Sequence, residues 1–494
     1  MARFREVVGQ VGIYSFASVL TQMISVLGAL LIRWFLGPLQ TGVWSLIQVI
    51  LSYTDYANLG ATYSIPIEIP FKKAQGKLAE VEQMKNVIFS FSFLTSLLFA
   101  LGALVYAFVR HHQIPNELFY GLLITAGLVI LQQLNNILIS LLRADKNFKF
   151  AGKQMILSSL VNLILITGFS SMFRLYGFMY AMCLSFIFNI LYIFFHQPFR
   201  FQWVLDFKIL KGLIQYGFPL MILTFAGTIL ATIDKMMIAK YLGFEALGLY
   251  SIAVMTSGFI FSFPNSIGIV LIPNISEKYA QSESIHDLAG YLTKSNHIFS
   301  VLMPVLIGFS WFVVPVMVHL LIPKFLTGIT AMKYLAISAF FIGLSQPYNN
   351  FIIVSKKHLV QLPMTLGMCG FAFAFIFLII RAGGGINEVA IAMTIVMMCN
   401  FTILFFYVCH YLFTGKELFR EYCIVLINFL IMTSALLFLD QRFNSSPFFA
   451  RMLFQMIGLM IIYLPFLIHL NKKYQFGNIL MEKFSRPKSM NGVK

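Results

Sequence analysis

The sequence predicts an all-α membrane protein that crosses the bilayer about fourteen times, and three properties lead to that reading. Of its 494 residues, 59% are hydrophobic and 11% charged, with a mean hydropathy of +0.84. No core of a water-soluble globule could hide that much apolar surface. Apolar runs of about 20 residues recur from end to end, each long enough as a helix to cross roughly 30 Å of hydrocarbon. The runs are continuous and rich in Leu, Ile and Phe, whereas the strands of a membrane barrel would be short and alternating.

The first run, 11–32, follows the basic residues Arg3 and Arg5 as a signal peptide would, but it is too long for one and no A-x-A site follows. It is therefore helix 1. Gly37-Pro38 opens the second run, 43–66, and the runs 86–109, 118–142, 154–173 and 176–195 complete a first set of six. A second set follows at 213–234, 246–272, 297–321, 331–354, 363–380 and 388–411, and two more runs lie at 421–439 and 450–470. The expected division is an N-terminal lobe, 1–200, a C-terminal lobe, 201–411, and a final pair of helices with a basic tail, 412–494.

Loop charge sets the expected orientation, because loops rich in Lys and Arg stay in the cytoplasm. With the N-terminus inside, cytoplasmic segments hold 25 of the 35 basic residues, among them Lys72, Lys73, Lys77, Lys85, Arg143, Lys146, Lys149, Lys153 and the tail from Lys472 to Lys494. The other face receives ten, and both termini are cytoplasmic. The formal charge of +17 then reflects topology and gives no ground for nucleic acid as a partner. The cysteines Cys183, Cys369, Cys399, Cys409 and Cys423 are unevenly scattered without a C-x-x-C pair, so neither a disulfide framework nor a metal site is expected. No cofactor is expected either.

A repeat organises the chain. Leu36, Gly37, Gly42, Trp44 and Ser45 return as Leu242, Gly243, Gly248, Tyr250 and Ser251, all at an offset of 206. Gln132, Asn135, Asn136 and Arg143 likewise return as Gln346, Asn349, Asn350 and Lys357, at an offset of 214. Two six-helix halves in the same orientation account for both. Such a duplication serves packing, or it serves a secondary transporter whose halves rock about a central site. Paired polar residues at membrane depth favour transport.

Helix 1 carries Tyr14, Ser18, Thr21, Ser25 and Gly28 on one face, helix 2 carries Ser45, Gln48, Ser52 and Asp55, and helix 7 has Thr224, Gly227, Ala231 and Asp234. These stripes either line a cavity or bond helix to helix. A carboxylate in a span must be paired, protonated or solvated, which makes Asp55 and Asp234 candidates for ion coupling. Asp234 next to Lys235 also reads as an ion pair that ends helix 7, and Asp55, with no basic neighbour in sequence, is the better proton carrier. Arg33, Lys235 and Lys240 cluster at the outward ends of helices 1 and 7. They suit an anionic phosphate, or they snorkel to the interface. Gln132, Asn135, Asn136, Asn349 and Asn350 offer amides to sugar hydroxyls or to neighbouring helices. Pro219, Pro264, Pro304, Pro315 and Pro347 are hinges or packing kinks.

The stretches "IRWFLGPLQTGVWSLIQVILSYTDYANLG", "ILISLLRADKNFKFAG" and "GFPLMILTFAGTILATIDKMMIAKYLGFEALGLYSIA" resemble the polysaccharide flippases of the MOP superfamily, in the O-antigen (Wzx-type) branch that serves lipopolysaccharide synthesis. The resemblance implies two six-helix lobes around a cavity and transfer of an undecaprenyl-pyrophosphate-linked oligosaccharide to the outer leaflet of the bacterial cytoplasmic membrane. It also implies cationic residues for the pyrophosphate, coupling to H+ or Na+, and contacts with glycan-assembly enzymes besides membrane lipids. Arg33 before L-G, and the pair Asp234 and Lys235, match the family pattern. Asn58 stands where the family often has an acidic residue, and Glu68 where it has a basic one. A related branch, the MATE multidrug or organic-cation antiporters, would need a mainly acidic cavity. An enzyme is not expected, because the outward connections are short and no D-x-D pair occurs.

Overall fold

A computed structural model describes residues 2–145, 147–197, 199, 201–282, 289–355, 358–443 and 447–474. The expected basic residues Lys146 and Lys357 and the tail 475–494 lie outside the described residues, as does the side chain of Tyr14. The described chain is helical throughout, with thirteen α-helices and no strand. They are α1 (Ala2–Thr54), α2 (Ile65–Ala74), α3 (Leu78–Val109), α4 (Asn116–Ala144), α5 (Phe148–His196), α6 (Phe207–Tyr241), α7 (Phe244–Ser282), α8 (Ala289–Leu321), α9 (Ile329–Val354), α10 (His358–Arg381), α11 (Ile386–His410), α12 (Gly415–Arg442) and α13 (Phe448–Tyr474). Twelve of these, all but α2, are long and apolar enough to cross a membrane. The protein is an all-α, multi-pass membrane protein.

Two of the twelve are double. In α1 the helical geometry breaks at Gly37 (φ 71°, ψ 179°), immediately before Pro38. Proline has no N–H to continue the helical ladder and glycine alone takes that φ without strain, so the sequence places the break there. In α5 the break is at Arg174 (φ 49°, ψ −122°). Asn189 accepts hydrogen bonds from Gln154 at 2.6 Å and Ser158 at 2.7 Å, although 35 residues of straight helix would hold the ends about 52 Å apart. The chain therefore doubles back, and Gly177 lets it do so, since a Cβ there would sit 2.0 Å from the carbonyl oxygen of Phe169. With both limbs of α1 and of α5 counted, fourteen long segments result.

The second segment is shorter than its hydropathy implies. The predicted run continues to residue 66, but α1 ends at Thr54 and is followed by turns and a 3-10 helix at Ala61–Ser64. Leu59 (φ 50°) and Gly60 (φ 88°) both take left-handed backbone here. Asn58 fixes the turn: its Oδ1 accepts from the Gly60 amide at 3.1 Å and from the Thr62 hydroxyl at 3.1 Å. Gly60 then lies directly against Gly217 of α6, where either Cβ would fall within 3 Å of the other's backbone.

By packing, the chain forms two compact units. One comprises Met1–Met255, Val318–Met332 and His358–Val396, and the other Thr256–Met317, Lys333–Lys357 and Met397–Lys494. Inside the first, the limbs of α1 lie on the limbs of α5; Trp44 meets Phe178 edge-on at 4.6 Å, and both are buried with Ile47 and Met179. The second is built on an aromatic core of Phe340, Phe341, Tyr348, Phe401 and Phe405, each at most 1% exposed. Lipid is as apolar as these side chains, so dispersion and shape fit hold such cores together more than exclusion of water.

Candidate functional site

The two copies of the repeat meet inside the first unit. Gly37 and Gly243, equivalent at the offset of 206, both have left-handed backbone, at φ 71° and 90°. Gly42 and Gly248 are equivalent too, and their contacts are reciprocal. A Cβ on Gly42 would lie 1.7 Å from the carbonyl oxygen of Phe244, and one on Gly248 would lie 1.8 Å from that of Pro38, the residue equivalent to Phe244. Only hydrogen fits at either position, so α7 crosses the second limb of α1 backbone to backbone.

Charged residues bracket this crossing. Arg33 donates through Nε to the Ser251 hydroxyl at 3.2 Å, through Nη2 to the Ser251 carbonyl at 3.0 Å and through Nη1 to the Ala29 carbonyl at 2.8 Å. Its three acceptors are neutral, and it makes no ion pair among the described residues. Asp234 is buried, and its Oδ2 accepts from the Tyr250 hydroxyl at 2.7 Å while Oδ1 accepts from the Lys235 backbone N–H at 2.8 Å. Neighbouring residues of α7, Tyr250 and Ser251, thus hold an anion and a cation. The expected ion pair of Asp234 with Lys235 is absent among the described residues. Adjacent helical residues point about 100° apart, and α6 runs on to Tyr241, so the pair neither closes nor ends the helix. Lys235 is half-buried, whereas Lys240 is exposed with its ammonium 5.2 Å over the Tyr241 ring.

Asp55 sits in the turn just past α1. Gln132 and Asn136 of α4 each donate an amide to its Oδ1 at 3.0 Å, Gln133 reaches the same oxygen at 3.5 Å, and Gln133 also donates to the Thr54 carbonyl at 2.6 Å. One turn of α4 thus brings three amides to one carboxylate. Asn135 points elsewhere. It is buried and accepts from Asn189, which joins α4 to both limbs of α5 through Gln154 and Ser158. In the second unit, Asn350 is buried, Asn349 is half-buried, and Gln346 donates to Asn265 at 3.1 Å. Of the helix 1 stripe, Ser25 is exposed and donates to the Thr21 carbonyl at 2.8 Å.

A further set of polar residues lies along α6, and of these the sequence analysis named Thr224 alone. Tyr53 and Thr232 share a hydrogen bond of 2.7 Å, Tyr56 and Thr228 one of 2.5 Å, and Thr224 donates to the Tyr63 hydroxyl at 3.0 Å. The threonines stand four apart on α6, and that i, i+4 spacing was the available signal. Phe225 packs edge-on against Tyr53 and Tyr56 at 5.8 and 5.1 Å. Half-buried hydroxyls beside aromatic rings can bind sugars through polar edges and apolar faces, while Arg33 and Lys235 can meet a phosphate.

Comparison with known proteins places the chain. Residues 71–330, more than half of it, match the family described as polysaccharide biosynthesis protein. Searching curated protein sequences gives no match. Among solved structures, an inward-closed lipid II flippase MurJ aligns with a TM-score of 0.70 at 14% identity, over 93% of this chain and 99% of its own. An inward-facing multidrug resistance MATE transporter of the MOP superfamily aligns at 0.60 and 15% identity, over 83% of this chain and 98% of its own. A mutant of the MATE transporter VcmN from Vibrio cholerae aligns at 0.59 and 14%, over 86% and 100%. The chain belongs to the polysaccharide biosynthesis protein family and has the fold of the MOP superfamily.

Proposed function

We propose that the chain, as a member of that family, moves an undecaprenyl-pyrophosphate-linked oligosaccharide across the bacterial cytoplasmic membrane by alternating access, driven by a H+ or Na+ gradient. The observation that carries this reading is the charge inventory of the first unit. Asp234 and Asp55 are both occupied by neutral donors, Tyr250 and the amides of α4. Arg33, Lys235 and Lys240 make no ion pair among the described residues. Cations outside any close ion pair suit a pyrophosphate and repel an organic cation, which weighs against the antiporter reading. The longer alignment with the lipid II flippase also favours it.

In this scheme the Tyr–Thr ladder and the α4 amides meet the glycan, and Asp55 carries the coupling ion. An ion drives transport only if it binds the alternating states unequally. Asp55 meets that condition if its turn shifts against α4, because amide donors would then be exchanged for the ion. The test is surface-glycan export in cells that depend on this protein. Lys235→Ala should lose export at a normal protein level, and Arg33→Lys should keep part of it, since an ammonium cannot reproduce the guanidinium's forked contacts. Normal export from Arg33→Ala, Lys235→Ala and Lys240→Ala alike would refute the cationic site.

A further inference from the structure

In the second unit, basic side chains converge where topology gives no reason for them. Lys333 lies one turn into α9, Asp440 two residues before the end of α12 and Arg451 one turn into α13, so three helix ends meet. Lys333 binds Asp440 Oδ2 at 2.5 Å, and Arg451 binds Oδ1 at 2.7 Å. Gln455, itself buried, donates to the same Oδ1 at 3.3 Å. Arg442 follows two residues after Asp440 and is exposed. Two cations thus share one carboxylate with a third close by in sequence, leaving the spot positive. Helix N-termini of α9 and α13 add to that sign, against the opposing C-terminus of α12.

Two further observations point to a ligand. The Lys333 ammonium lies 5.2 Å over the ring of buried Trp311, which holds it at the cluster. The Lys333, Asp440 and Arg451 side chains are 20%, 24% and 28% exposed, which leaves them reachable. Below them, Phe438 and Leu453 expose 62% and 55% of their surface on α12 and α13. Loop charge assigns this end to the outward face, where basic residues are otherwise scarce. A positive spot at headgroup depth above exposed apolar helix faces matches an amphiphile with an anionic head.

We propose that Lys333 and Arg451 form a binding site for the phosphate of an anionic phospholipid, whose acyl chains lie along α12 and α13. Asp440 occupies the cations when the lipid is away and competes with it when it arrives. This proposal does not rest on the glycan path proposed above.

The test is thermal unfolding of the purified full-length protein in detergent, titrated with phosphatidylglycerol, phosphatidylcholine or inorganic phosphate. Phosphatidylglycerol should raise the midpoint more than phosphatidylcholine does at equal concentration, and inorganic phosphate should leave it unchanged. The double variant Lys333→Gln/Arg451→Gln should weaken the phosphatidylglycerol response by about tenfold in concentration. Asp440→Asn should do the opposite and strengthen it, even if it lowers the starting midpoint. A structural ion-pair cluster predicts no such gain. Equal responses to the two lipids, a response to phosphate alone, or weaker phosphatidylglycerol binding in Asp440→Asn would each overturn the proposal.

Discussion

The two copies of the repeat, around Gly37 and around Gly243, share a backbone and differ in chemistry. Both have left-handed glycine followed five residues later by a glycine pressed on a carbonyl of the other copy. The residues that carry charge do not repeat: at the offset of 206, Arg33 falls on Ala239 and Asp234 on Gly28. Symmetry here belongs to the crossing of helices, and asymmetry to what the crossing presents. A duplicated scaffold can tolerate change in its side chains but not in the few positions where two backbones touch.

Breaking the shared part should have the largest effect. Gly42→Val or Gly248→Val places a side chain where a Cβ is already under 2 Å from a backbone oxygen, and the expected outcome is no folded protein by size-exclusion profile. Gly227→Ala and Gly258→Ala, which face open space, should express normally. A folded Gly248→Val protein would show that the crossing is looser than described.

Breaking the unshared part should cost less. Tyr250→Phe removes the hydroxyl donor from buried Asp234, and loss of that bond should destabilise the protein by roughly 1–3 kcal/mol, read as a lower thermal midpoint. Adding Asp234→Asn should recover much of the loss by removing the stranded charge. Ser251→Ala leaves Arg33 its two carbonyl acceptors, so about 1 kcal/mol or less is expected. Smallest of all, Thr228→Ala removes one rung of the Tyr–Thr ladder and should change stability by about 0.6 kcal/mol, while a larger loss of export than of stability would tie the rung to substrate.

The comparison also explains what could be read from sequence. Hydropathy reveals fourteen segments because each must be apolar over the same thickness, and Gly37-Pro38 announces its own break. The end of the second segment is concealed: Leu59 and Ile65 keep the average apolar while Asn58 and Gly60 turn the chain. Asp55 and Asp234 stand out because carboxylates are rare in spans, but their partners do not. Gln132 and Asn136 are 77 and 81 residues from Asp55, and nothing local distinguishes them from Asn135, which faces α5. The reading of Asp234 with Lys235 took sequence adjacency for contact, which a helix denies to neighbouring residues.

The most direct measurement is transport by the purified protein in sealed vesicles, with an imposed H+ or Na+ gradient and two cargoes compared side by side. An undecaprenyl-pyrophosphate-linked oligosaccharide should cross, an organic cation should not, and Lys235→Ala should stop the first movement. Gradient-driven movement of the organic cation, with the glycolipid left in its original leaflet, would contradict it.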